Sequence, residues 1–189
     1  MNRNSNYIIT KIKDPTGHAQ KAQVGVDITV GKIELVSGIA VFDENSKLNR
    51  DLINYTEAPT CKEYLEKNKN TFIDHKYKEV MEANPDAYYI EPRTTCVIEF
   101  EQGINTLAPN EWGYISIRSS YNRIGTRISS AIWDPNFSTD NMGTTLITGD
   151  VPVIIPKGTR IAQFLRFDCE EVPQEDLYNG QWQNVANHN

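Results

Sequence analysis

Apolar and polar residues alternate with a period of two along most of this chain. In QVGVDITVGKIELV (residues 23–36) valines, isoleucines and a leucine are interleaved with Asp27, Thr29, Lys32 and Glu34. That period predicts a half-buried strand, and its break at Gly31 predicts a bulge or a turn. TTCVIEFEQGINTL (94–107) reads as a strand, a turn at Gly103 and a second short strand. GYISIRSS (113–120) sets Tyr114, Ser116 and Arg118 against Ile115 and Ile117. GTTLITGDVPVIIPKGTRIAQFLRFDCEEV (143–172) gives two or three strands, split by the turn signals TGD and PKG. Many short strands at this spacing predict an all-β sandwich or barrel.

One segment departs from the alternation. TCKEYLEKNKNTFIDHKYKEVMEAN (60–84) is charged, lacks Gly and Pro, and repeats Tyr64, Leu65, Phe72, Ile73, Tyr77, Val80 and Met81 at roughly helical spacing. Thr60 with Glu63 has the pattern of a capping box, and Pro59 and Pro85 bracket the segment. We expect one helix or two short ones in an insertion over about 51–87, either covering the sheet or meeting a partner. The polar tail LYNGQWQNVANHN (177–189) is expected to be a mobile arm on a single domain spanning 1–189.

Composition narrows the setting. With 189 residues, 39% hydrophobic and 23% charged, the chain suits one globular domain. Its net charge of −6 argues against nucleic-acid or membrane-surface partners, which would want a basic face. No apolar run reaches the length of a membrane span, and MNRNSNYIIT lacks the apolar core of a signal peptide. Three scattered cysteines (Cys61, Cys96, Cys169) give neither a disulfide framework nor a metal knuckle, so a reducing cytoplasm is the expected location. No HxE followed by PCxxC occurs, which excludes a zinc deaminase site of that kind.

Against this acidic background, SIRSSYNRIGT (116–126) stands out. Arg118, Arg123 and the adjoining Arg127 lie among Ser116, Ser119, Ser120 and Thr126. Guanidinium groups match phosphate oxygens bidentately and short hydroxyls complete the shell, so the segment reads either as an anion cradle or as a solvated loop. Downstream, the apolar run Ala131-Ile132-Trp133 reads as a strand entering the turn Asp134-Pro135-Asn136. Asp134 serves there either to bond the turn backbone or as general base toward a water. Gln163, between Ala162 and Phe164 on an apolar strand, needs a partner if buried: a ligand or a neighbouring backbone group.

These stretches, in this order, resemble the motifs of the dUTPase and dCTP deaminase superfamily. AQVGVDITVG (22–31) is similar to its first motif, with Asp27 in the place of the motif aspartate. YYIEPRTTCVIEFEQGINTLAPNEWGYISIRSS (88–120) leads into RSSxxRxG, here Arg118 to Gly125. SAIWDPNF (130–137) resembles the third motif, GTRIAQFLRF (158–167) the fourth, and LYNGQWQ (177–183) the YxGxYQ tail of the deaminase branch. The resemblance implies a distorted jelly-roll β-barrel, assembled as a homotrimer with sites between subunits, so that one chain holds only part of each site. It implies a deoxynucleoside triphosphate as ligand, with Mg²⁺ held mainly through the phosphates. Arg118, Ser119 and Ser120 would contact phosphates, and Arg123 would join them or brace the site. Gln163 would reach the phosphate or sugar, Phe137 would lie by the deoxyribose, and Tyr178, Gln181 and Gln183 would close over the triphosphate. Asp134 would activate water.

The two branches of the family differ in chemistry. Deamination without zinc is carried by the glutamate of a TLE sequence, and here Thr145-Leu146-Ile147 puts isoleucine in that place. No glutamate occurs between Glu111 and Glu170, and an aliphatic side chain moves no protons. The resemblance therefore favours dUTP hydrolysis to dUMP and pyrophosphate. The alternatives are a dCTP deaminase or bifunctional enzyme using Asp140 or Asp150, and a non-catalytic nucleotide-binding or regulatory protein on the same fold. The hairpin after Asp134 is longer than usual and carries Asn136 in place of glycine.

Overall fold

The computed structural model describes residues 3–45 and 48–180. The chain starts with helix α1 (Ser5–Ile9), strands β1 (Ile12–Lys13) and β2 (Gln20–Lys21), and the long strand β3 (Val26–Gly38). Strands β4 (Val41–Phe42), β5 (Leu48–Asn49) and β6 (Ile53–Glu57) follow, then helices α2 (Cys61–Lys67) and α3 (His75–Glu82). The second half holds β7 (Tyr88–Ile90), β8 (Thr95–Phe100), β9 (Gly103–Ile104), β10 (Glu111–Ile117), helix α4 (Ser119–Asn122), β11 (Arg127–Ser129), β12 (Gly143–Ile147), β13 (Val153–Ile155) and β14 (Arg160–Asp168).

The architecture is organised on β3. Its apolar positions run Val26, Ile28, Val30 and then change phase to Ile33 and Leu35. The phase change is a bulge: pairing with β8 shifts between Val30 and Lys32, at Gly31. A Cβ at Gly31 would meet the carbonyl of Glu99 and the amide of Glu101 at 3.3 Å, so the residue without one lets the two strands close. The main sheet runs β10-β14-β3-β8-β12-β11, with β2 and β6 also on β3, and every pairing is antiparallel. The segment after β11 returns to β10, where Trp133 and Gly113 exchange backbone hydrogen bonds at 2.9 Å each, and this nearly closes the sheet into a barrel. The inward faces pack Ile28, Ile33, Ile98, Phe100 and Phe164, all fully buried. The result is a nearly closed antiparallel β-barrel, the barrel that the resemblance implied. Among the described residues no helix is long and apolar enough to cross a membrane.

The helical segment is two helices, α2 and α3, which pack on each other and, through α2, on β7. Thr60 and Glu63 make the reciprocal capping box at the start of α2, with Glu63 Oε2 accepting from the Thr60 amide at 2.8 Å. Cys61, Met81 and Tyr89 form a small satellite core beneath them. Residues 53–57, placed in the insertion on sequence, are instead strand β6 on the edge of β3. Gly103 begins β9 rather than making the turn before it. The run Ala131-Ile132-Trp133 is not a strand: Trp133 makes one bridge, while Ile132 is 61% exposed. With β11 already paired to β12, only one residue of that run reaches a partner backbone.

Candidate active site

Residues from three motifs meet on adjacent strands. β14 lies between β10 and β3, and the register sets Ser116 opposite Gln163 and Gln163 opposite Asp27. Gln163 Nε2 donates to Asp27 Oδ1 at 2.9 Å. The partner of this half-buried glutamine is thus a side chain, neither of the two foreseen. The second carboxylate oxygen of Asp27 faces two guanidinium groups, Arg118 Nε and Arg160 Nη1, each at 3.6 Å. Arg118 is held further by its amide on the carbonyl of Ile161 and by Nη1 on the carbonyl of Arg160, 3.2 Å away. Arg160 also donates to Gln20. Asp27 is 5% exposed, so a buried carboxylate anchors two arginines whose outer parts stay in solvent. Arg160 and Gln20 were not assigned a role on sequence. Their partnership with Asp27 depends on strand register, and only a cation three positions before Gln163 hinted at it.

The serines follow directly. Arg118 follows β10 as the N-cap of α4, and Ser119 and Ser120 open that helix, a single turn fixed by half-buried Tyr121 packed against the core. Burial raises the Tyr121 phenol above its ordinary value, so it stays protonated. Both serines are exposed, and among the described residues their hydroxyls have no partner. Arg123 does not join Arg118. It lies on the far side of α4, where a cavity of about 690 Å³ is lined by Arg93, Arg123, Arg127, Ile147 and Asp150.

Asp134 is elsewhere on the barrel. The turn Asp134–Phe137 closes with the Phe137 amide on the Asp134 carbonyl at 3.1 Å, and Asn136 takes the left-handed φ of 72° that the turn requires. The Asp134 side chain is exposed and makes no hydrogen bond or ion pair among the described residues. Asp140 is paired with Lys13 and Asp150 with Arg93, each at 2.8 Å. Phe137 packs on Trp133 and Tyr178, with ring centroids 5.2 and 5.4 Å apart. The start of the arm is thus folded onto its own chain: the Tyr178 amide donates to the Pro135 carbonyl and the Tyr178 carbonyl accepts from Asn136 Nδ2. Gln181 and Gln183 lie outside the described residues.

Asp134 and Arg118 belong to opposite ends of β10. Trp133, next to Asp134, bridges Gly113, and Arg118 follows the last residue of the strand. Five residues of extended chain span ~17 Å. A single chain therefore does not bring the carboxylate to the Arg118–Asp27–Gln163 cluster.

With this geometry in hand, the class is clear. The chain belongs to the dCTP deaminase-like family, whose model matches residues 3–169. Family members are enzymes of nucleotide metabolism, dUTPases and dCTP deaminases among them. The chain is 27% identical over 169 residues, 88% of each sequence, to the probable deoxyuridine 5'-triphosphate nucleotidohydrolase of Aeropyrum pernix. Its fold is similar to that of the 2'-deoxycytidine 5'-triphosphate deaminase from Agrobacterium tumefaciens, with a TM-score of 0.53 at 12% identity over 83% of this chain. That match spans 42% of the deaminase's own length. The native EIAV dUTPase aligns with a TM-score of 0.41 at 12% identity, over 78% of this chain and 98% of that one.

Proposed function

We propose that the protein hydrolyses dUTP to dUMP and pyrophosphate. One observation carries the choice: of the three aspartates in 134–150, Asp140 and Asp150 are spent in ion pairs and only Asp134 presents a carboxylate unengaged among the described residues. It does not serve the turn, whose closing bond is backbone to backbone. A general base needs such a carboxylate in reach of water. Asp134 takes a proton from a water, the oxygen attacks the α-phosphorus, and pyrophosphate leaves with the electrons of the broken P–O bond. Arg118, Ser119 and Ser120 hold phosphate oxygens, while Asp27 and Gln163 fix the arginine from behind. Arg123 supports the loop from its other side, and Phe137, packed between the tilted rings of Trp133 and Tyr178, is an apolar wall for the sugar. Gln181 and Gln183 stay assigned to the arm that covers the triphosphate.

Mg²⁺ neutralises phosphate charge when bound. As the resemblance implies, the ion would be held by phosphate oxygens and water. The ~17 Å of strand between Gly113, bridged by the neighbour of Asp134, and Arg118 supports sites completed by a second chain, and hence a homotrimer. The dUTPase similarity at 27% identity supports the same substrate. Deamination has less support, since Ile147 shares its cavity with Asp150, which is tied to Arg93.

The test is Asp134→Asn with dUTP and Mg²⁺. Turnover should fall ~10²–10⁴-fold with nucleotide binding little changed. Wild-type protein should release no ammonia from dCTP. Full hydrolysis by Asp134→Asn would remove the mechanism, and ammonia from dCTP would move the protein to the other branch.

A further inference from the structure

Residues 14–21 lead from β1 through a turn into β2 and lie on the surface, with only Ala19 packed against the barrel core. Surface loops of this kind are ordinarily mobile. This one is tied down by a polar network. Asp14 accepts from the Ala19 amide at 2.9 Å and from Gln102 Nε2 at 3.0 Å. The Thr16 hydroxyl donates to Glu101 Oε2 at 3.2 Å, and His18 Nδ1 lies 2.7 Å from the same oxygen. Thr29 closes the network from β3: its hydroxyl donates to Glu101 Oε2 at 2.6 Å, and its amide donates to Oε1 of fully buried Gln102 at 2.8 Å. Burial pushes the Glu101 carboxyl up, but the Thr29, His18 and Thr16 contacts outweigh it and hold the group below its ordinary value. The charged carboxylate only accepts, so His18 Nδ1 carries the proton between them.

The network adjoins the arginine cluster. Thr29 and Asp27 are two apart on β3 and share a face of the sheet. The register sets Thr29 opposite Arg160 and Gln20 opposite Asp27. Gln20, near the end of the tied segment, accepts from Arg160 Nη1. Arg160 depends on that acceptor. Asp27 Oδ1 is taken by Gln163, and Oδ2 stands 3.6 Å from Arg118 Nε and 3.6 Å from Arg160 Nη1, too far to hydrogen-bond either. One oxygen shared at that distance attracts two guanidinium groups and aims neither. Arg118 has two further anchors: its amide on the Ile161 carbonyl, and Nη1 on the Arg160 carbonyl at 3.2 Å. Among the described residues the Arg160 side chain has one hydrogen-bond acceptor, Gln20. The residue that Gln20 holds is thus the one whose carbonyl receives Arg118.

We propose, on the phosphate role given to Arg118, that Gln20 and His18 are positioning residues for that arginine. Segment 14–21 is a brace. His18 on Glu101 and Asp14 on Gln102 fasten it to the barrel, Gln20 fixes Arg160, and Arg160 fixes the guanidinium that meets the triphosphate. Neither Gln20 nor His18 touches the ligand in this scheme. An arginine whose rotamer is set in advance loses less freedom on binding, so the brace acts on affinity. Gln20 is neutral, and it therefore holds Arg160 without cancelling the positive charge beside Arg118.

The experiment titrates inorganic triphosphate into full-length variants by calorimetry. Gln20→Met, which keeps the length of the side chain and removes its acceptor, should weaken binding about tenfold, as for one hydrogen bond to a charged group. His18→Ala should weaken it about threefold, and His18→Asn, whose Nδ2 can stand where Nδ1 stood, should restore it. Coupling separates a brace from a general loss of structure. Arg118→Lys keeps a positive charge, and with it measurable binding, but loses the fork that reaches the Arg160 carbonyl. In that background Gln20→Met and His18→Ala should each change affinity by less than about twofold, because the group they aim is gone. Losses there as large as in wild type would overturn the scheme, as would wild-type affinity in Gln20→Met. A His18→Asn protein as weak as His18→Ala would remove His18 from the brace. Triphosphate binding without dUTP hydrolysis would sink the proposed reaction and leave the brace standing, whereas a wild type that binds no triphosphate would overturn the brace along with the phosphate role of Arg118.

Discussion

Two carboxylates on this barrel are each gripped by two arginines, and they serve opposite ends. Glu111, at the start of β10, is fully buried with Arg166, itself 1% exposed, and lies 3.4 Å from Arg3. The ring of Tyr7 lies between Arg3 and Arg166, 4.9 and 5.6 Å from the two guanidinium carbons. Asp27, on the neighbouring part of the same sheet, is almost as buried, but Arg118 and Arg160 are 34% and 41% exposed. The pair chemistry is the same and the access differs. A sealed pair has no donors to offer a ligand and fastens the N-terminal segment to the barrel. A pair at the rim keeps its arginines charged and aimed while leaving their outer N–H groups for an anion.

Exchanging the arginines for methionine separates these roles most sharply. Arg118→Met should lower dUTP turnover ~10²–10³-fold, the loss typical of one charge-stabilising donor. Because that pair is partly solvated, stability should change by less than about 1 kcal/mol. Arg166→Met should do the reverse. It strands Glu111 without its main partner, and breaking a buried pair from one side costs ~3–5 kcal/mol. Denaturant melts and initial rates on both variants give the four numbers needed. Equal effects on stability would erase the distinction between sealed and open pairs.

The open pair also predicts a result that no single-chain site can give. Asp134 and Arg118 lie at opposite ends of β10, so chains lacking one or the other should complement. Arg118→Met and Asp134→Asn proteins, each inactive, are unfolded together and refolded as a mixture. In an equimolar mixture with the site shared between two chains, about a quarter of the sites carry both native residues, and activity should return toward that fraction. A mixture as inactive as its parents would return both residues to one chain. Variants at Glu111 and Arg166 carry no such expectation, because these two residues pair with each other within one chain.

Much of this was legible in the sequence, and the failures have physical causes. Period-two patterning located β3, β8, β10, β12, β13 and β14, because half-buried strands write their two faces into alternate residues. Helix α1, five residues long, is too short to show a period, and its signal was the Asn4 cap accepting from the Tyr7 amide. The run 131–133 misled because apolarity does not create a partner strand. Asp27, Arg118 and Gln163 were named as separate motif residues, and strand register makes them one cluster. That same register recruits Arg160, which carried no pattern of its own. Arg93 was passed over for a related reason: it and Arg127, 34 residues apart, come to line one cavity only when β12 brings the Thr148–Asp150 turn to both.

The smallest effect concerns acid, and it falls on the sealed pair. Burial pushes the Glu111 carboxyl up, but the Tyr7 hydroxyl and the Arg166 guanidinium outweigh it and hold the group below its ordinary value of 4.5. A carboxyl depressed in the folded chain is protonated first in the unfolded one. Its contribution is therefore complete above about pH 4.5 and is lost as the pH falls through the lower, folded value. Glu99 works in the opposite direction, since burial raises its carboxyl, so the melting curve of wild type alone mixes the two. The informative quantity is the stability difference between wild type and Glu111→Gln. It should be flat from pH 7 to about pH 5 and then shrink on acidification, because glutamine has no proton to gain. Since Glu111 touches no ligand in this scheme, dUTP turnover by the folded variant at pH 7 should match wild type. A stability difference that stays constant into acid would mean that Glu111 fastens the N-terminal segment by packing and hydrogen bonds alone, without help from its charge.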